Sequence, residues 1–340
     1  MQHKRVWRGL VLTALLLAAS QALAQASALR FNWWIPPNHL TRTKIMDVWV
    51  KQVEEATQGR VKVEFTATSL GAPPRQFDLV RDAVADLAMG VHGYTPDRFV
   101  LPQVAELPFT GDSAEANSVA LWRTHAKFFA AKNEYQGVRL IGIMTHGPGS
   151  LWSPKAPIRS LADLKGLKVR SGGGMQNDIV DKLGGAVVSA PAPQTYELLS
   201  RGVADATLFT NDAVGSFGLG KLLKFNTKVP GGLFNSTFFV VMNEAKWNAL
   251  SVQDRAAIER LSGEAFARLG GRGWDDTDRE VAATLSADQV IQPDARFMSE
   301  LRDTLKGLDA QWVADANAKR SVDGAGAIAF MRAEVAGYKR

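Results

Sequence analysis

The chain contains no cysteine in 340 residues. That excludes a disulfide framework, a thiolate metal site and a catalytic thiol. Histidine is scarce. Beyond His3 there are only His39, His92, His125 and His146. None belongs to an HExxH pattern, and no pair has metal-ligand spacing with acids nearby. There is no GxSxG elbow. Gly172-Gly173-Gly174 is not a Walker loop, because no Gly-Lys-Ser/Thr follows, and Asn177 stands where GxGxxG needs its third glycine. A hydrolase or dehydrogenase with an unmarked site stays open, but the missing constellations point to a non-catalytic binder. Internal repeats and low-complexity tracts are also lacking. With 46% hydrophobic and 22% charged residues the composition is that of a globular protein, and neither disorder nor a collagen-like repeat fits it. The length suggests two domains.

The amino terminus reads as an address. Lys4, Arg5 and Arg8 form a positive region, Leu10 to Ala19 an apolar run, and Ala22-Leu23-Ala24 a small-x-small cleavage site. This is the pattern of a secretory signal peptide over residues 1–24, with Gln25 first in the mature chain. The apolar run is short of the roughly 20 residues a membrane span needs, and no later stretch reaches that length. An exported, periplasmic protein that does not itself span the membrane is expected. Loss of the signal removes three positive charges and no acid, taking the formal charge from +6 to +3. What remains is too mild and scattered for nucleic-acid binding.

The mature chain alternates strands and helices. Strands are expected at Leu29–Ile35, Val61–Phe65, Ala85–Met89 and Val138–Met144, with helices at Thr41–Thr57, from Pro73-Pro74 with Phe77, Val80, Ala83, Val84 and Leu87 inward, and at Ala114–Lys132. Such alternation implies a mostly parallel sheet covered by helices. The glycine- and proline-rich stretch His146–Ser150 marks passage to a second domain. There the alternation restarts with strands at Leu167–Arg170, Ala186–Val188 and Asp205–Phe209 and helices at Met175–Leu183 and Gln194–Arg201. Thr237–Met242 is a strong strand suited to return to the first domain. Ser251-x-x-Asp254 resembles a capping box. It opens a long helical pattern over about 251–285, roughly 50 Å at 1.5 Å per residue, with Gly270, Gly271 and Gly273 suggesting a kink or break. The expected division is 25–148 with 237–270, and 149–236 with 271–340.

Arg170 ends a strand and precedes Ser171-Gly172-Gly173-Gly174 and a helix start. Ligands of open α/β sheets sit beyond the carboxyl ends of strands. Glycine lets backbone approach closely, a helix start favours an anion, and a guanidinium matches a carboxylate with two parallel hydrogen bonds. On physics alone a solvent-exposed arginine is the commoner case. Trp33 and Trp34 follow a strand. Adjacent strand residues face opposite ways, so one can line a cleft, although core and surface packing explains the pair as well. His146 and Tyr94 lie on loops near strand ends, and Phe209 ends a strand. A structural role is the usual one for each of these three.

Several stretches carry a resemblance to a known family. They are Ser69-Leu70-Gly71, Leu107-Pro108-Phe109, Leu161 to Arg170 (LADLKGLKVR), Tyr196 to Asp205 (YELLSRGVAD), Val241-Met242-Asn243 and Trp247. In this order and spacing the chain resembles the solute-binding subunit of tripartite ATP-independent periplasmic (TRAP) transporters, the DctP type. The resemblance implies an α/β periplasmic binding protein fold, with two α/β domains, a ligand cleft between them and a long helix crossing both. It implies no catalysis and no cofactor, and an organic acid as ligand. It also implies a hand-over to the small and large permease subunits, of DctQ and DctM type. A monomer is expected. The family's carboxylate-gripping arginine falls on Arg170.

Departures narrow the ligand. Leu208-Phe209-Thr210 stand where sialic acid and dicarboxylate binders carry Glu-Asn-Pro, so a ring replaces an amide. Leu208 offers no carboxylate for a cation, and no metal is expected. Gly149 stands near the place of a second arginine, and Gly232 near that of a common histidine. The expectation is a monocarboxylate with an aromatic or apolar body, a 2-hydroxy or 2-oxo acid, held by Arg170 and flanked by Phe209 and Trp33. His146, Arg75, Tyr94 and Asn235 are candidates for polar contacts. The alternatives are a dicarboxylate or sugar-acid binder, a subunit of an ATP-driven importer, and a secreted hydrolase or lyase acting on organic acids.

Overall fold

The structure, a computed structural model, describes residues 27–339. The signal-peptide segment 1–24 lies outside the described residues. The chain opens with β1 (Ser27–Asn32), β2 (Val61–Phe65), β3 (Leu87–Val91) and β4 (Val138–Thr145). It then crosses to a second sheet through β5 (Ser150–Ser153), β6 (Lys168–Ser171), β7 (Ala186–Ser189), β8 (Ala206–Phe209) and β9 (Phe225–Thr227). It returns as β10 (Thr237–Asn243) and later adds β11 (Val290–Ile291) to the second sheet. The strand orders are β2-β1-β3-β10-β4 and β11-β9-β5-β8-β6-β7.

Both sheets are mixed rather than mostly parallel. β10 runs antiparallel to β3 and β4, and β5 runs antiparallel to β8 and β9. The parallel pairs, such as β1–β2 and β6–β7, are joined through helices. A strand that arrives from the other sheet has no crossover helix to impose its direction. The two crossing segments pair with each other, with Gly149 N–H donating to Phe234 O at 2.9 Å. A Cβ on Gly149 would stand 2.3 Å from the Phe234 ring, so this crossing needs glycine.

The helix opened by Pro73 is shorter than its pattern suggests. A single turn Pro73–Arg75 leads into Gln76–Arg81. Ala83 has φ of 59° and Val84 is exposed, so neither faces inward as expected. Leu87 does lie inside, as part of β3.

The long helical pattern after Ser251 divides into Val252–Arg260 and Glu264–Ala282. Ser251 Oγ accepts from Asp254 N–H and donates to the Asp254 carboxylate, which makes half a capping box. The break falls at Gly263 (φ 63°), where a Cβ would meet the Trp122 ring at 2.6 Å. It does not fall at Gly270–Gly273, which stay helical. Those glycines serve close packing. A Cβ would lie 2.4 Å from Met144 Sδ at Gly270, 2.3 Å from Glu115 Cα at Gly271 and 2.8 Å from Ile45 at Gly273.

The helix Glu264–Ala282 is tied to the start of the helix Ala114–Thr124. The Asp275 carboxylate accepts from Ala114 N–H at 2.6 Å and from Ser113 Oγ at 2.8 Å, a favourable charge at a helix N-terminus. One turn on, Asp278 packs against Gly147 in the crossing. Burial, with Asp212 and Asp275 adding negative charge, pushes its carboxyl from 3.8 up to about 7 against a smaller pull from Lys228. The native state therefore keeps a proton that the unfolded chain releases above about pH 4. The stability this group contributes is full below that pH and is lost as pH rises through 7. Asp278→Asn should gain thermal midpoint over the parent progressively from pH 5 to pH 8. A gap that does not change with pH would contradict this.

Candidate ligand site

Arg170 lies on β6, between β7 and β8 in the second sheet. The stretches Leu161 to Arg170 and Tyr196 to Asp205 set this register. Asp205 N–H donates to Lys168 O at 2.7 Å, Lys168 N–H donates to Asp205 Oδ2 at 3.2 Å, and Lys168 Nζ donates to Gly202 O at 2.8 Å. Arg170 is thereby placed opposite Thr207 and Val188. The residue is buried, 3% exposed.

The five N–H donors of an arginine are only partly spent here: Nε and Nη2 donate to Ala190 O at 3.0 and 2.6 Å, and Nη1 donates to Leu208 O at 3.2 Å. The Tyr94 hydroxyl engages a further N–H, which leaves one of the five open. Among the described residues no carboxylate pairs with it. Burial lowers its pKa, with the Tyr94 phenol the main opposing influence, yet a guanidinium stays charged in proteins. A buried cation costs several kcal/mol in desolvation, and neutral carbonyls offset only part of that. The fold thus holds a buried positive charge that only neutral oxygens meet.

That charge borders a cavity of about 60 Å³. Its walls are mainly aromatic: Trp34, Tyr94, Phe209, Phe217, Phe238 and Trp274. The Arg170 guanidinium carbon lies 5.1 Å from the Phe209 ring centre, within cation–π range. Trp274 stacks on Phe238 with centroids 5.8 Å apart. Tyr94 joins the two sheets, because its hydroxyl accepts from Ala192 N–H at 2.9 Å.

The polar groups of the cavity differ in what they have left to offer. His146 Nδ1–H donates to Gly147 O, and Nε2 accepts from Ser236 N–H at 2.7 Å. Burial holds this imidazole neutral by lowering its pKa to about 4. His39 Nδ1 accepts from Thr41 N–H, and its Nε2 lies 3.2 Å from Asp212 Oδ2. Burial lowers the His39 pKa against the pull of Asp212. Both histidines therefore present rings rather than free donors.

The structure brings Arg170, Phe209, Tyr94 and His146 together around this cavity. It does not bring the other three candidates there. Trp33 packs edge-on against Phe31 and Phe65 and lines a wider outer groove with Arg42. Its neighbour Trp34 takes the inner wall, because Trp34 Nε1 donates to Met89 O at 2.8 Å and turns the ring inward. Both tryptophans follow the end of β1 at Asn32, so strand alternation does not govern them. Arg75 is exposed and paired with Asp78 at 3.6 Å. Asn235 is buried, and its amide nitrogen bonds Gly147 O at 2.8 Å in the orientation that satisfies it. It pins the crossing segment and leaves the cavity wall to Phe234 and Ser236.

Sequence reasoning missed His39, Gln176, Phe217, Ser236, Phe238 and Trp274. Phe238 lies in a strand that reads as core, and Trp274 in a helix that does the same. The one available signal was the glycine cluster before Trp274, which marks a helix surface pressed against its neighbours. Among the described residues no group of three or more His, Asp or Glu side chains has metal-holding geometry, and no helix is long and apolar enough to cross a membrane.

Residues 31–311 match the family model of bacterial extracellular solute-binding protein family 7, DctP. The chain belongs to this family. Its members are transport receptors, not enzymes. The DctP chain is 36% identical to the outer membrane transporter protein TsaT of Comamonas testosteroni, over 95% of this chain and 97% of that one. It superposes with a TM-score of 0.88 and 36% identity on a TRAP periplasmic solute-binding protein of Bordetella bronchiseptica with bound (R)- and (S)-mandelate, covering 91% of this chain and 98% of that one. A marine metagenome TRAP protein specific for aromatic acid ligands, in complex with 3-hydroxybenzoate, matches at TM-score 0.86 and 31% identity, covering 93% and 100%. The two-domain binding-protein fold expected from the sequence is the fold of these structures.

Proposed function

We propose that this DctP protein captures an aromatic monocarboxylate in the periplasm and delivers it to the small and large permease subunits of a TRAP transporter. The observation that carries the reading is the buried Arg170 guanidinium at the cavity wall, held by neutral oxygens and with no acid beside it among the described residues. A ligand carboxylate supplies the missing charge and, in place of the Tyr94 hydroxyl, accepts two parallel hydrogen bonds. The surrounding rings favour a flat apolar body. Burying a ring of phenyl size is worth about 2 kcal/mol, and each charged hydrogen bond about 1.5–3 kcal/mol. The clamp thus sets orientation and the rings set class. The single cation in the lining argues against a dicarboxylate, and the aromatic walls argue against a nine-carbon sugar acid. The related proteins that hold mandelate and 3-hydroxybenzoate support the same class.

In this reading residues 1–24 direct export and are removed. The two lobes, divided near 148/149 and 236/237, close over the acid, and Tyr94 and His39 on one side meet Ala192 and Asp212 on the other. A thermal-shift screen of organic acids tests the ligand class. A true ligand at a thousand times its Kd adds about 4 kcal/mol to stability. Aromatic monoacids should give the largest rise in midpoint. A strong rise with a dicarboxylate or sialic acid, and none with aromatic monoacids, would overturn the assignment.

A further inference from the structure

One cavity group has a donor with no acceptor among the described residues. Gly172 N–H donates to Gln176 Oε1 at 2.8 Å, which fixes the amide so that Nε2–H donates to Ser236 Oγ at 2.9 Å. Ser236 N–H is in turn spent on His146 Nε2. The Ser236 hydroxyl oxygen is thus an acceptor already in use, and its own hydrogen has no acceptor among the described residues. Ser236 lines the cavity and is only half-buried. The same lining contains a second such donor, Trp274 Nε1–H, which is buried and without a partner. The two histidines between them have no free donor, as described above. A polar group of this kind costs free energy unless a ligand or a water meets it.

We infer that Ser236, positioned by Gln176, reads an oxygen on the ligand other than the carboxylate, so that the preferred substrates are hydroxy- or oxo-substituted aromatic acids. This rests on the proposed aromatic-acid reading and adds the residue that selects within the class. Discrimination follows because an unsubstituted acid leaves Ser236 O–H facing apolar atoms. Sites built to bond a substrate oxygen reject the analogue that lacks it more strongly than apolar pockets reject a change of size.

Titration calorimetry on two matched pairs, mandelate against phenylacetate and 3-hydroxybenzoate against benzoate, tests this. The parent protein should bind the oxygenated member of at least one pair about tenfold or more tightly, and the pair that shows it locates the oxygen. Ser236→Ala should erase that preference, weakening the oxygenated acid severalfold and tightening the unsubstituted acid, which no longer buries an unpaired hydroxyl. Equal affinities across both pairs in the parent overturn the inference while leaving the aromatic-acid reading intact. Equal weakening of both members by Ser236→Ala assigns the residue a merely structural role and also overturns it. If none of the four acids binds, the aromatic-acid reading fails and the inference falls with it.

Discussion

Arg170→Ala is expected to weaken binding of an aromatic monoacid by about 100-fold or more, ~3 kcal/mol, because the ligand carboxylate would enter an apolar enclosure with no counter-charge. The size of the effect follows from the surroundings. The guanidinium is already desolvated and already oriented by Ala190 O and Leu208 O, so binding pays little for ordering it. Arg170→Lys keeps a charge but loses the planar fork, and should recover only part of the affinity. The unliganded variant should remain folded, since removing an unpaired buried charge relieves a desolvation cost. Calorimetry together with circular dichroism checks both points. Affinity unchanged within twofold in a folded Arg170→Ala protein would refute the clamp.

The second large effect concerns stability. Gly271→Ala should destabilise the protein by on the order of 3 kcal/mol, the upper part of the range for overpacking. Its new Cβ would meet Glu115 Cα at 2.3 Å, Glu115 N at 2.6 Å and Ala114 O at 2.7 Å. All three are backbone atoms at the capped start of a helix and cannot swing aside. Gly337→Ala is the control, because a Cβ there meets nothing within 4 Å. Thermal unfolding should separate the two variants by many degrees. A Gly271→Ala protein as stable as Gly337→Ala would contradict the close helix contact. The contact also bears on function, because the same helix carries Trp274 to the cavity.

That helix shows where sequence reasoning stops. Gly270, Gly271 and Gly273 have low helix propensity, which reads as a weak point when the chain is considered alone. Packing reverses the reading, since a missing side chain lets two helices approach and the contact outweighs propensity. Arg170 stands among local signals, a strand end, glycines and a helix start within a few residues, but these alone favoured an exposed side chain, and it was the family resemblance that pointed to a buried ligand contact. The cavity walls were not legible. Trp274, Phe238 and Ser236 come from segments far apart in the chain, and each looks like core or loop until the crossings are folded. The choice between Trp33 and Trp34 turned on one bond to Met89 O, beyond the end of the strand whose alternation was used. The mixed strand directions were hidden for the same reason, because β5 and β10 take their sense from the crossing and not from their own residues.

The central claim is that a carboxylate meets Arg170 inside the aromatic cavity. A crystal structure of the protein purified from its natural host with its ligand retained, paired with mass spectrometry of that ligand, tests it most directly. The account predicts an aromatic monoacid with its two carboxylate oxygens on Arg170 Nη1 and Nη2 and its ring among Trp34, Phe209 and Trp274. A ligand whose carboxylate lies elsewhere, or a molecule with no carboxylate at all, would contradict it.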